Sequence, residues 1–236
     1  MRPIRKTIFT LNVDNYSPEI TAITYPLIKY YAHKIGANFH IINERKFLNW
    51  PVTYEKLQIF ELGQEMQNDW NIYIDSDAGV HPGTPDWTLY LKKDTIAHWT
   101  CDVASVRWKY NNYFMRDGRN WGTGNWISIA SDWCLDLWRP LEVTPAEAIS
   151  NIFPTHMESN NGIVPSHLID DYALSHNIAR FGLKTAKIID IRDSIGLKDL
   201  GLMMHLYMVS NETKVKKLKE MLETWEIPDH VRNFGT

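Results

Sequence analysis

The sequence predicts an α/β fold with a mainly parallel central sheet flanked by helices, in one domain spanning residues 1–236. Three observations predict it. β-rich runs alternate with helical segments through the first half of the chain, turn and cap residues separate them, and no linker-like, repetitive or low-complexity stretch divides the 236 residues. Strands separated by helices need crossover connections, which favour parallel neighbours. The length suits one large domain able to bury a sizeable core.

Thr7–Val13 ("TIFTLNV") reads as the first strand, followed by a turn-like "DNYSPE". From Ser17 to Gly36 the pattern is helical. Ser17 stands at the N-cap, Pro18 at the first position and Gly36 at the stop. Glu19 lies in the first turn, where the helix dipole favours negative charge. Ile20 at the third position denies the helix a full capping box, and Pro26 should kink or split it. Asn38–Glu44 is the second strand, Thr53–Gln67 the second helix with Leu57, Phe60 and Leu62 on its apolar positions, and Asn71–Asp75 the third strand.

The second half is more mixed. Asp102–Trp108 and Gly124–Ser131 read as strands around a polar loop, "KYNNYFMRDGRNWGT". Ser131–Leu141 reads as a helix opened by a Ser–Asp cap, Thr144–Phe153 as a short helix, and Thr155–Ser166 as an irregular loop. His167–Gly182 is a helix that Gly182 stops, Lys184–Ile191 a strand, and Asn211–Trp225 a charged amphipathic helix.

Composition narrows the partners. A net charge of −3 without a basic block argues against a nucleic-acid partner held through phosphates. Cys101 and Cys134 have neither metal-ligand spacing nor a disulfide framework, so a reducing, cytoplasmic setting is expected. The basic N-terminal stretch is too short and polar in its apolar run for a signal peptide. No segment approaches the roughly 18 apolar residues of a spanning helix. Aromatic content is high, with ten Trp, eleven Tyr and eight Phe. Trp108, Trp121, Trp126, Trp133 and Trp138 fall close together, either as core bulk or as a platform on which a base or a pyranose stacks.

Two carboxylates one residue apart, Asp75 and Asp77, follow the third strand. In open α/β sheets ligands bind beyond the carboxyl ends of the strands, the edge that also carries "DNY" after the first strand. Like charges side by side repel unless a proton or cation intervenes. A hard divalent ion with open positions resolves the conflict and suits a diphosphate ligand. A second pair, Asp170 and Asp171, heads the late helix on the face that carries Leu174, Ile178 and Phe181. Dipole complementation explains that pair, as does a base or acceptor-hydroxyl partner in a cleft. His205 sits among apolar residues, as a core histidine or as a third ligand beside the carboxylates. Lys56 is either a solvated or paired charge or a point charge for a phosphate or the donor's sugar. Arg116 and Arg119, on a loop that reads as a lid, and His156 and Glu158 are further candidates for substrate contact.

Together these stretches resemble the GT-A glycosyltransferase superfamily, particularly its glycogenin-like and galactosyltransferase-like branches, over about Thr7 to His205. The most specific part is "TYEKLQIFELGQEMQNDWNIYIDSDAGVHPG". The compact whole also looks like small stand-alone domains of some large viruses, which would place it in the host cytoplasm. The resemblance implies a GT-A (Rossmann-like) domain that uses Mn2+ or Mg2+ to hold a nucleoside-diphosphate sugar and passes the sugar to a carbohydrate or glycoprotein acceptor. It implies Asp77 as a metal ligand and Asp75 as a metal ligand or ribose contact. Lys56 would lie near the donor, and Thr10, Asp14 and Tyr16 where base and ribose are held. Thr123, Gly124 and Asn125 would line the sugar pocket, although their order differs from the family's Asn-Ser-Gly. Asp170 and Asp171 would border the reacting carbon, with Asp171 preferred as base if configuration inverts. His205 would complete the metal site, although the family's following glycine and lysine are absent from "HLYMVSN".

Two rivals share features. A haloacid-dehalogenase-like phosphatase also uses D-x-D, but needs Thr or Val where this chain has Gly79, and carries its motif after the first strand. A non-catalytic carbohydrate-binding module explains the tryptophans but gives no reason for two carboxylate pairs in an α/β frame.

Overall fold

Three strands from the first half lie side by side and parallel in the computed structural model, which describes residues 2–100, 123–152, 168–198, 200–206 and 209–235. β1 (Lys6–Leu11) pairs with β2 (Asn38–Ile42) on one side and β3 (Trp70–Ile74) on the other. All five residues of β3 are buried, the near-continuous apolar run of a strand covered on both faces. β6 (Thr123–Ser131) runs antiparallel to β3 and to β5 (Thr95–Thr100), and β7 (Lys184–Lys187) lies parallel to β5. The sheet order is β2-β1-β3-β6-β5-β7, mainly parallel with β6 reversed.

Strand side chains alternate between faces, and the two faces meet different helices. Ile8, Ile72, Ile74, Ile127 and Ile129 pack beneath α1 (Pro18–Lys34), against Ile28, Tyr31 and Ala32. Phe9, Tyr73, Ile96 and Ala130 face the other way. They pack with Ile59 of α2 (Ile59–Glu65) and with Leu174 and Ile178 of α4 (Ile169–Phe181), the helix that follows α3 (Pro145–Ser150). β4 (Gly79–Val80) pairs antiparallel with β8 (Met203–Met204) as a separate two-stranded ladder. α6 (Asn211–Thr224) packs Leu218 and Met221 against Ile20 and Leu27 of α1. Between them in chain order lies α5 (Ile188–Ser194), and α7 (Asp229–Arg232) ends the fold. No described helix is long and apolar enough to cross a membrane.

Several elements depart from expectation. Pro26 does not split α1, which runs from Pro18 to Lys34 before Gly36 turns it off at φ 66°. Ser17 occupies the N-cap position in a left-handed conformation and makes no side-chain cap bond. The helix expected over Thr53–Gln67 begins as a 3-10 segment, Val52–Gln58, and becomes α-helical only at Ile59. In that segment consecutive buried charges serve separate partners. Glu55 takes Arg45 at 2.8 Å and the backbone N–H groups of Lys46 and Phe47, while Lys56 reaches α4.

Ser131–Leu141 is likewise a 3-10 segment, Asp132–Trp138, interrupted at Cys134; Pro140 forces extended backbone on Arg139. The strand expected over Lys184–Ile191 ends at Lys187 and turns into α5. Its partner β5 changes register after His98, so the ladder has nowhere to continue. The sequence of β5, "TIAHWT", carries no clear strand signal. The strand at Asp102–Trp108, the Arg116 and Arg119 loop, and His156 and Glu158 lie outside the described residues.

A candidate metal centre at the carboxyl edge of β3

β3 ends at Ile74, and the next four residues turn back, with the Ala78 N–H donating to the Asp75 carbonyl at 3.0 Å. This turn is fixed from both sides. The Asp75 N–H donates to the Trp126 carbonyl of β6 at 2.7 Å, and the buried Thr24 hydroxyl of α1 donates to the Ser76 carbonyl at 2.5 Å. The chain then enters β4, whose register opposite β8 sets Gly79 against Met204. That two-residue ladder delivers His205 to the carboxylates although more than a hundred residues separate them. Trp126 stacks on the His205 ring at 5.4 Å and 11°, which fixes the plane of the imidazole.

One ligand atom each from Asp75, Asp77 and His205 lie within 4.8 Å of one another. His205 Nε2 stands 3.5 Å from Asp75 Oδ2 and 3.4 Å from Asp77 Oδ1. The other oxygen of each carboxylate is taken by the protein. Asp75 Oδ1 accepts from the Tyr73 hydroxyl at 2.6 Å, and Asp77 Oδ2 accepts from the Lys214 ammonium of α6. Each carboxylate is thus oriented through one oxygen and presents the other toward the imidazole. Two carboxylate oxygens and one imidazole nitrogen form a donor set that could hold a divalent metal ion. Burial pushes the Asp77 carboxyl up, but the His205 ring and Lys214 outweigh it and hold it down at about 2. Burial, reinforced by Asp75, raises the Tyr73 hydroxyl well above its usual range, which keeps it a donor.

Beside this group stands the second carboxylate pair. Lys56, 2% exposed, donates to Asp170 Oδ2 at 2.5 Å, lies 3.7 Å from Asp75 Oδ1 and sits 4.3 Å above the Tyr73 ring. Burial pulls the ammonium's pKa down, and Asp170 and Asp75 more than restore it. Lys56 is therefore a charged cross-link between the two acidic pairs. Asn125 at the start of β6 donates to the same Asp170 oxygen at 3.2 Å. Asp170 and Asp171 occupy the first turn of α4, and both are buried.

The remaining expected residues are spread more widely. Tyr16 meets Lys214, whose ammonium donates to its hydroxyl at 3.3 Å, so the loop after β1 joins the site. Asp14 is exposed on that loop at φ 56°, with Asn15 at 54° and Ser17 at 32°. Three neighbouring non-glycine residues in the left-handed region are strain of the sort that clusters at ligand clamps. Thr10, in contrast, is fully buried within β1. Thr123 and Gly124 open β6 immediately before Asn125. Among the described residues, Trp126 backs His205, Trp138 is core and Trp133 is 69% exposed, so these three tryptophans do not share one platform; Trp108 and Trp121 lie outside the described residues.

Lys214 was not singled out from the sequence. "TKVKKLKE" reads as a solvated helix face, and only the packing of α6 on α1 shows which of its lysines turns inward. No protein-family model matches the chain, and no curated protein matches it. Among solved structures, the chain is similar to a glycosyltransferase involved in glycosylation of the major capsid of PBCV-1. The match has a TM-score of 0.52 and 14% identity, covering 92% of this chain and 100% of that one. The chain has the GT-A fold. Two further likenesses fall at a TM-score of 0.49. The galactosyltransferase LgtC is 12% identical over 96% of this chain and 99% of its own, and the glycosyltransferase GlyE of Streptococcus pneumoniae TIGR4 is 13% identical over 98% and 63%. Within the GT-A fold, the Asp75–Asp77–His205 group stands at the carboxyl edge of the parallel strands.

Proposed function

We propose that the protein is a metal-dependent glycosyltransferase, acting as a single domain, that moves a sugar from a nucleoside-diphosphate sugar to a hydroxyl of a glycan or glycoprotein acceptor. The observation that carries this reading is the convergence of Asp75 Oδ2, Asp77 Oδ1 and His205 Nε2 at the carboxyl edge of β3 in a GT-A fold. These three atoms would hold Mn2+ or Mg2+. The bound ion would supply positive charge where the departing diphosphate becomes more negative. Lys214 adds a fixed cation beside it, and its ammonium is only 13% exposed as a side chain, so water screens it weakly. The left-handed loop at Asp14–Ser17, with Tyr16 tied to Lys214, would meet base and ribose in this reading.

Asp170 and Asp171 have different tasks in this reading. Asp170 spends one oxygen on Lys56 and Asn125 and is held in place as a structural anion. Asp171 takes the proton of the attacking hydroxyl if configuration inverts. If configuration is retained, the pair serves to orient the substrate.

A thermal-shift screen of nucleotide sugars with and without Mn2+ tests class and donor together. A rise in Tm that needs both metal and one nucleotide is expected. Calorimetry showing no nucleotide affinity in either condition would end the glycosyltransferase reading.

A further inference from the structure

His98 is completely buried in β5 and takes no part in the functions assigned above. It sits directly opposite Ser128 of β6, and its Nδ1 lies 2.9 Å from the Ser128 hydroxyl. The same hydroxyl lies 3.3 Å from the Asn125 carbonyl, so the imidazole is its nearer partner. If Ser128 donates to Nδ1, the neutral ring must carry its proton on Nε2. Nε2 is buried and has no hydrogen-bond partner among the described residues. A buried donor left unmatched is costly, and such groups in native proteins call for an explanation.

The explanation lies on the face of the sheet that His98 shares. Side chains two residues apart in a strand point the same way. Ile96 of β5 and Ala130 of β6 pack with Leu174 and Ile178 of α4, so His98 and Ser128, one step nearer the site, face the turn of α4 that precedes Leu174. That turn carries Asp170 and Asp171. The register shift of β5 between His98 and Thr100 adds a local irregularity at this point, a device that re-aims side chains next to sites. The charged groups that act on the ring are Asp171 from α4 and Lys56 from the 3-10 segment, and Lys56 is itself paired with Asp170 and close to Asp75. Burial depresses the imidazole to about 4, and Asp171 is the group that opposes this while Lys56 adds to it.

We propose that His98 is a positioning residue for Asp171: Ser128 fixes its proton on Nε2, and that N–H is the donor that keeps the Asp171 carboxylate aimed at the acceptor. Catalytic hydrogen bonds are often long before substrate binds and tighten in the complex, so a donor lined up beneath the acidic turn suits this role. A neutral donor orients a carboxylate without quenching its charge, whereas a charged lysine would make it a weaker base. The inference deepens the glycosyltransferase reading and rests on it for the role of Asp171, but its test needs no sugar donor.

The full chain labelled with 15N-histidine would be followed by NMR from pH 5 to 8, with the His98 signals assigned by their loss in His98→Gln. The expected result is a neutral ring protonated at Nε2 throughout. Its N–H proton resonance should shift by at least several tenths of a ppm in Asp171→Asn and less in Asp170→Asn. Ser128→Ala should turn the single tautomer into a mixture. A ring protonated at Nδ1, or an Nε2–H resonance indifferent to Asp171→Asn, overturns the proposal. Should Asp171→Asn fail to fold, the wild-type tautomer and its response to Ser128→Ala still decide. A core histidine with only a packing role would not register the charge on Asp171. Absence of nucleotide binding, by contrast, would sink the glycosyltransferase reading while leaving this signature intact.

Discussion

Lys56 is the residue on which the two acidic pairs depend, because its buried ammonium is the cation between Asp170 and Asp75. Removing one partner of a buried pair leaves an uncompensated charge in a poorly solvated place. Lys56→Met should therefore cost about 3 kcal/mol in urea unfolding, at the lower end for such a loss because Asp75 keeps some solvent. A cost below about 1 kcal/mol would mark the network as solvated. His98 makes a second residue-scale prediction through pH. Unfolded, it takes a proton near pH 6.5, whereas folded it resists until about pH 4. Between these values the unfolded chain binds more protons, so the contribution of His98 is complete above pH 6.5 and is lost as pH falls through the window. By pH 5 the loss should reach about 2 kcal/mol, read as the excess fall in stability of the wild type over His98→Gln between pH 7 and pH 5.

At the scale of elements, the site depends on close approaches that place helices on the sheet. Gly63 of α2 lies so near β3 that a Cβ there would stand 2.7 Å from Asn71 Oδ1 and 3.0 Å from Leu135 Cδ1. The Asn71 amide cannot easily yield. Its oxygen accepts from Asn68 at 2.9 Å, and Asn68 in turn accepts from Thr7 of β1 at 2.9 Å. Gly63→Ala should lower stability by about 1–3 kcal/mol through overpacking, although alanine by itself favours a helix by about 1 kcal/mol. A gain in stability on thermal unfolding would show that α2 slides freely. Gly79 also sits under a helix, but there the added Cβ would meet the Sδ and Cε of Met221, the flexible end of a side chain that can turn away. The two-residue ladder of β4 and β8 has a similar weight: without it His205 has no fixed relation to Asp75 and Asp77.

For the whole molecule, the decisive property is that a ligand bound only to the folded state raises its stability by mass action. With Mn2+ and a nucleotide sugar at about a hundred times the dissociation constant, the gain is about 2.7 kcal/mol, or about 5–10 °C in Tm for a chain of this size. EDTA should erase that rise, and Asp77→Asn should prevent it. A ligand-induced shift that survives EDTA would mean that Lys214 and Lys56 hold the diphosphate without a metal.

The sequence by itself determined the α/β class, the sheet edge at which the Asp75–Asp77 pair stands and the identity of the acidic groups. Alternating periodicity, caps at Pro18 and Gly182 and the Asp75–Asp77 spacing are local signals, carried by neighbours along the chain. Where local signals are weak, sequence and structure part. "TIAHWT" carries too weak a signal to mark β5, and "IIDI" has a strand's composition although the pairing of β7 with β5 ends at His98. Everything that turns the acidic groups into a site comes from pairs remote in sequence. Thr24 and Trp126 pin the Asp75 turn, β8 delivers His205, Lys56 joins the two acidic pairs, and α6 presents Lys214. No local pattern encodes these meetings, because they are set by which faces of sheet and helix must be buried together; only the tertiary structure decided them.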